Sequence, residues 1–198
     1  MKVYGKVQSR AFRVLWMLEE MGREYQHVDI LPHDARLRAI YPAGKVPVLV
    51  DGDVVITDST AILNYLADCY DSHYTHPTGS TERAFQESLM YMLLDEFDAC
   101  LWAAARHSFI LPEEYRVPDI KPSLKWEFGR SVQSLCSRAV FAPFLTGNHL
   151  TVPDFILMDC LVWCGKAGFP ITHPVLLEYR DHMEIRPAFR RVSAMGAA

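Results

Sequence analysis

Residues 44–59 read GKVPVLVDGDVVITDS: an apolar run carrying Pro47, a turn at Asp51-Gly52, a second apolar run, then Asp58 and Ser59. Asp-Gly between two β-branched runs is a strong hairpin signal, because the favoured two-residue turns need positive φ at their central residues. The stretch predicts two antiparallel strands, over 46–50 and 54–56. Proline cannot donate to a sheet ladder, so Pro47 marks a strand start, an edge or a special local geometry. Ala61, Ile62, Tyr65 and Leu66 then recur at helical spacing, which predicts a helix over 58–71 with Asp58 and Ser59 at its start.

Towards the amino terminus, residues 3–5 form a short apolar run and AFRVLWMLEEM (11–21) a helical pattern stopped by Gly22. Residues 25–30 predict a second strand and 34–41 a short helix before Pro42. The order is β-α-β-α-β-β-α, a parallel crossover followed by an antiparallel hairpin, best packed as a mixed sheet covered by helices. This is the order of a thioredoxin-like α/β domain, assigned to residues 1–76. SHYTHPTGSTE (72–82) is polar and rich in turn formers, which places a linker at 77–83.

Strand signals stop beyond the linker. Phe85, Leu89, Leu93, Phe97 and Leu101 repeat every four residues within a helical run over 83–107, and further runs cover 123–144, 151–166 and 174–183. Residues 84–198 are therefore predicted to form an all-helical domain. In LTVPDF (150–155), Thr151 and Asp154 have capping-box spacing and Leu150 can staple onto Phe155. The carboxylate also faces the positive end of the helix dipole. That motif is read as structural, contributing about 1 kcal/mol.

Composition removes several classes. A formal charge of −4 leaves no basic stripe for nucleic acid. No window approaches the roughly 18 uncharged apolar residues of a membrane span, and MKVYGKVQSR lacks the apolar core of a signal peptide, so a cytoplasmic protein without a membrane partner is expected. The five cysteines, Cys69, Cys100, Cys136, Cys160 and Cys164, are scattered without a CxxC. That pattern suits reduced thiols rather than a disulfide frame or thioredoxin chemistry. The eight histidines form no HExxH or Cys/His cluster, and no metal is expected.

Three motifs in this order resemble the cytosolic glutathione S-transferases: KVPVLV with Pro47, Asp58-Ser59 at a helix start, and TVPDF at another. SRAFRVLWMLEEMG (9–22) is similar to that family's first helix and RPAFRR (186–191) to its last, so the resemblance spans essentially the whole chain. It suggests a bacterial-type member with serine-like chemistry. It implies a cis Val46-Pro47 peptide bond, with Val46 pairing its backbone to the cysteinyl unit of glutathione as an added strand does. Ser59 would meet the γ-glutamyl carboxylate in the positive field of a helix end, Asp58 the α-ammonium group, and Lys45 the glycyl end, with His33 a further candidate there. The alternatives are a proline at a strand edge and plain helix capping by Asp58 or Ser59.

A free thiol near pKa ~8.5 is only a few per cent ionised at neutral pH, so an enzyme of this kind must stabilise the thiolate. Ser9, between the first strand and first helix, is the candidate donor. Counted back from Val14, the family's reacting position falls nearer Gln8, so Gln8, Arg10 and backbone N–H groups remain alternatives, and Ser9 as a helix cap is another. The resemblance implies glutathione as co-substrate, transfer to a small apolar electrophile, glutathione peroxidase or thiol-reductase activity as variants, and a homodimer. Met90, Met92, Phe97, Trp102, His107 and Phe109 are candidates for the electrophile pocket. The competing reading is a non-catalytic scaffold that kept the fold for protein interaction.

Overall fold

The computed structural model describes residues 1–196. The predicted hairpin is formed by β3 (Val48–Asp51) and β4 (Val54–Thr57), which pair antiparallel with Val48 opposite Thr57 and Asp51 opposite Val54. The connecting residues are Gly52 and Asp53, and Gly52 takes φ +58°, a conformation open to glycine without steric cost. β1 (Lys2–Tyr4) pairs antiparallel with β3 and parallel with β2 (Gln26–Val28), giving a mixed sheet in the order β2-β1-β3-β4. Pro47 lies one residue before β3, outside the ladder in which its missing N–H would be felt.

Alternation along the strands divides the side chains between the two faces. Tyr4, Val28 and Val48 join Ile30 and Leu37 in one apolar cluster, which α2 (Ala35–Arg38) covers with Leu37. Val3 and Leu49 point the other way and are fully buried. On their side lies α1 (Ala11–Glu20), every residue of which from Ala11 to Leu18 is buried. Such all-round burial requires neighbours on several sides. α1 has them in β1, α3 (Ser59–Tyr70) and the carboxy-terminal helix α9 (Pro187–Met195).

That last contact redraws the expected division of the chain. Two compact units emerge, one of Met1–Thr75 with the chain from Met183 onward and one of His76–His182, whereas the sequence assigns 84–198 to the helical domain. The reason is long-range packing. Phe189 stands edge-on to Phe12 at 5.3 Å and to Trp16 at 5.2 Å. Arg186 chelates Glu20 at 2.7 and 2.8 Å, and Arg191 reaches Glu19 at 2.6 Å.

The second unit is helical. Its first rod comprises α4 (Thr81–Met92), a π-helical segment Leu93–Asp98, α5 (Ala99–Ala105) and a second π segment Arg106–Ile110. α6 (Lys121–Arg138), α7 (Val152–Ala167) and α8 (Pro174–Glu184) follow. α6 ends six residues before the expected limit at 144, where Ala139 turns extended. α7 is the buried centre, packed on α4, α5 and the first π segment. Its capping box forms as read, and Leu150 and Phe155 are both buried.

Asp154 does more than cap. It is fully buried, with Oδ2 accepting from the Thr151 N–H (2.8 Å) and hydroxyl (2.9 Å), and Oδ1 from the Leu145 N–H (2.9 Å) and Tyr179 hydroxyl (2.9 Å). Burial raises its carboxyl above the ordinary range, against the pull of those four donors.

Candidate functional site

The strand registers bring the candidates together before any side chain is considered. Tyr4 pairs with Val28 and Val48, and Val48 with Thr57. The chain leaving β1 (Gly5 to Arg10), the chain entering β3 (Lys45 to Pro47) and the chain leaving β4 (Asp58 and Ser59) therefore share one end of the sheet. Neighbouring strands lie about 4.8 Å apart, so this end forms a compact polar rim.

Gly5 shows how close the approach is. It takes φ +139°, and a Cβ there would meet Ala11 Cβ at 2.9 Å, Val46 Cβ at 3.1 Å and Ser9 Oγ at 3.5 Å. Ser9 and Val46 are thus neighbours across a glycine with no room for a side chain. The Val46-Pro47 peptide bond is cis. Val46 is half-buried, and among the described residues its backbone N–H and C=O find no hydrogen-bond partner.

Asp58 sits at φ +72° and caps α3, one carboxylate oxygen accepting from Thr60 N–H (2.8 Å) and Ala61 N–H (3.1 Å). Capping, offered by the sequence as the alternative to ligand binding, is therefore real. It engages Oδ1 alone; Asp58 is exposed, and Oδ2 has no partner among the described residues. Ser59 follows at the first helical position, 2 % exposed, and neither its N–H nor its hydroxyl is engaged within the described chain. A free N–H, a free hydroxyl and a helix dipole converging at one point form an anion receptor.

Basic side chains gather around Gly44. A Cβ on that residue would lie 3.0 Å from both the Cα and Nδ1 of His33 and 3.1 Å from Arg38 Cγ, and Lys45 is next in sequence. His33 itself has φ +68°, held by its N–H donating to the Gly44 carbonyl at 2.7 Å. The side chains of His33, Arg38 and Lys45 are exposed and without an acidic partner among the described residues. Arg36 offers a contrast, since both Asp34 oxygens hold it at 2.9–3.1 Å. Those hydrogen bonds lower the Asp34 carboxyl below its ordinary value. Arg38 escaped the sequence reading because a helix of four residues shows no periodicity to mark its outward face.

The thiol-activating candidates fare differently. Ser9 is half-buried, but its one hydroxyl proton goes to the Lys6 carbonyl (2.7 Å) while Oγ accepts from Ala11 N–H (3.2 Å). It therefore performs the capping-type role that the sequence left open. Gln8 is exposed and donates from Nε2 to the Gly196 carbonyl at 2.6 Å. Arg10 occupies the N-cap position of α1 in helical conformation, without a side-chain cap bond.

The electrophile candidates divide by burial. Met90, Met92 and Phe97 are at most 6 % exposed and belong to the core of the helical unit. His107 accepts from Val117 N–H at Nδ1 (3.1 Å), whereas Trp102 and Phe109 are exposed. The cysteines are free, and burial pushes three thiols up, Cys100 and Cys136 to about 11 and Cys164 to about 12. Raised thiols are poor nucleophiles. No group of three metal-ligating side chains is placed to hold an ion among the described residues, and no helix there is long and apolar enough to cross a membrane.

Comparison with known proteins gives the family and the fold. The family model described as "Glutathione S-transferase, N-terminal domain" matches residues 1–68. The chain is 30% identical to glutathione S-transferase theta-1 of Bos taurus over 93% of its own length and 82% of that protein. It is 36% identical to a zeta-class glutathione S-transferase of Euphorbia esula over 79% of its length and 72% of that protein. The fold superposes with TM-score 0.86 on a glutathione transferase homologue from Sulfitobacter solved with bound glutathione, at 21% identity over 100% of this chain and 98% of that one. The chain belongs to the glutathione S-transferase family.

Proposed function

We propose that this protein is a glutathione transferase whose sheet end binds reduced glutathione and ionises its thiol for attack on a small apolar electrophile. One observation carries the reading: the groups left open at that end are complementary to the tripeptide. The Val46 N–H and C=O suit the cysteinyl backbone, as in strand addition. Ser59 N–H and Oγ suit the γ-glutamyl carboxylate, and the second oxygen of Asp58 suits the α-ammonium group. Lys45 and His33, joined by Arg38, suit the glycyl carboxylate. The relatives named glutathione S-transferases and the glutathione-bound homologue support the same assignment.

In this mechanism the Ser9 hydroxyl turns from the Lys6 carbonyl towards the sulfur. A hydrogen bond to a charged group contributes about 1.5–3 kcal/mol, and 1.36 kcal/mol corresponds to one pKa unit, so one such bond lowers the thiol by roughly one to two units. The α1 dipole adds in the same sense. The thiol proton leaves to solvent, the sulfur lone pair forms a carbon–sulfur bond, and the electrophile's leaving group departs with its electron pair, or its π bond accepts the electrons. Peroxidase and thiol-reductase activities would begin from the same thiolate. The protein is expected to work as a cytoplasmic homodimer, for which a dimer mass by light scattering at micromolar concentration is the check.

A second reading has an observation of its own. The Ser9 proton is committed to Lys6, as suits a family member that kept the fold as a scaffold without turnover. Calorimetric titration with reduced glutathione separates the two. Saturable binding that Ser59→Ala weakens, with turnover that Ser9→Ala lowers by raising the thiol pKa, supports the transferase. No binding by the parent protein overturns it in favour of the scaffold.

A further inference from the structure

We infer that the carboxy-terminal turn positions the thiol-activating segment: the Gly196 carbonyl, acting through the Gln8 amide, holds Val7 to Ser9 in place beneath the cysteinyl sulfur. The inference rests on the proposed glutathione site and adds Gln8 and Gly196 to it as positioning residues.

The segment between β1 and α1 is anchored unevenly. Gly5 is fixed to β2, its N–H donating to Val28 O (3.1 Å) and its carbonyl meeting His27 Nε2 (2.7 Å). From Lys6 to Ser9 the bonds are local: Ser9 N–H and Oγ both donate to the Lys6 carbonyl, while the Ser9 carbonyl accepts from Phe12 N–H (2.9 Å) and Oγ from Ala11 N–H (3.2 Å). These bonds tie Ser9 to the start of α1 and leave the placement of Val7 and Gln8 to other contacts. One such contact is the ion pair of Lys6 with Asp29 at 3.7 Å, between two well-exposed side chains, a pair of small energetic weight. The closer one comes from the far end of the chain, 188 residues away, where Gln8 Nε2 donates to Gly196 O at 2.6 Å.

Packing repeats the message. Val7 is 8 % exposed, and a Cβ placed on Gly196 would meet Val7 Cγ1 at 3.0 Å, Val7 Cβ at 3.3 Å and Gln8 Nε2 at 3.5 Å. The terminal backbone therefore lies directly on this segment, so close that a side chain on residue 196 would have to push Val7 aside. Its position is set in turn by α9, fastened to α1 through Phe189, Arg186 and Arg191. The line of support runs from α9 to Gly196, to Val7 and Gln8, and so to Ser9, the next residue. Displacing a donor by even 1 Å weakens a charged hydrogen bond steeply, so the consequence should fall on the thiolate more than on tripeptide affinity.

The test uses the full-length chain and two readouts: the glutathione dissociation constant by calorimetry, and the bound-thiol pKa by thiolate ultraviolet absorbance. Gln8→Ala removes the donor of the tether, and Gly196→Val keeps the carbonyl but pushes it off the segment by crowding Val7. Both are expected to keep the dissociation constant within about threefold while raising the bound-thiol pKa by about half a unit or more. Gln8→Lys restores a donor to the carbonyl and should bring the pKa back towards that of the parent. A parent that binds glutathione, with variants that bind it at the parent pKa, overturns the inference alone. A parent that binds no glutathione overturns the underlying reading and the inference together.

Discussion

The starts of α3 and α7 each combine an aspartate with a small hydroxyl residue, adjacent at α3 and three residues apart at α7, and they have put the same chemistry to opposite uses. At α7 the Asp154 carboxylate is fully buried and both oxygens are engaged, by four donors from Leu145, Thr151 and Tyr179. At α3 the Asp58 carboxylate is exposed with one oxygen engaged, and Ser59 leaves its N–H and hydroxyl open. The composition of the two starts is nearly the same. What separates a structural cap from a ligand site is how much hydrogen-bonding capacity the fold leaves over.

The largest predicted effect tests the closed end. Asp154→Ala removes the acceptor of four buried hydrogen bonds and leaves the Leu145 and Thr151 N–H groups without another, each costing about 1–3 kcal/mol, so the helical unit should lose about 3 kcal/mol on chemical denaturation. A loss below 1 kcal/mol would mean that water or relaxation satisfies those donors, and the contrast between the two helix starts would collapse. Next in size, at the open end, Ser59→Ala should weaken glutathione binding about 10- to 100-fold, the loss of a hydrogen bond to a carboxylate, with little change in melting temperature because its hydroxyl engages nothing within the described chain. Asp58→Asn separates capping from charge: asparagine caps as well as aspartate and tolerates positive φ. Stability should hold while glutathione affinity falls about tenfold. Unchanged affinity would reduce Asp58 to a cap.

Much of this was legible in the sequence because the deciding signals are local. Asp51-Gly52, Pro47 and the Thr151/Asp154 spacing each act within a few residues; the hairpin forms with its turn one residue later, at Gly52-Asp53, and the capping box forms as read. The misread limits are instructive. β3 starts at Val48 rather than at 46 because Pro47 cannot enter the ladder, and α6 stops at Arg138, short of Pro143, although that proline was itself a signal against helix up to 144. The place of α9 was out of reach, since RPAFRR shows an amphipathic helix without saying which unit presents Phe12 and Trp16 to it. At the site, Val46, Pro47, Asp58 and Ser59 were recoverable as motifs. Arg38 and the tie of Gln8 to Gly196 depend on contacts that no local pattern encodes.

A pair of histidines outside the site, His76 and His149, predicts a smaller, pH-dependent effect. The His76 ring stands 5.2 Å from that of His149. Its pKa is lowered, first by burial and then by His149 and Arg83, with Glu82 opposing. A histidine harder to protonate when folded than when unfolded contributes stability that is complete above the unfolded value near 6.5 and is lost as pH falls through the lower folded value. The melting temperature of the protein should therefore drop between pH 7.5 and 5.5, and His149→Gln should flatten part of that drop. A His149→Gln variant with the parent's pH profile would remove the pair from the account.

The smallest effect belongs to the cations around Gly44, and it sharpens the comparison because it concerns groups left wholly in water. Exposed charge pairs contribute little and are screened by salt, so Arg38→Ala should weaken glutathione binding only about two- to fivefold at low ionic strength, and less at 0.5 M salt. Arg36→Ala, whose guanidinium already serves Asp34, should leave affinity unchanged. Equal losses from the two arginines would mean that a general positive field, rather than the open side chain beside Gly44, draws the glycyl carboxylate. A loss confined to Arg38 would extend to a flexible surface cation the rule that Ser59 illustrates at a buried helix start: the binding groups are those the fold has left without partners.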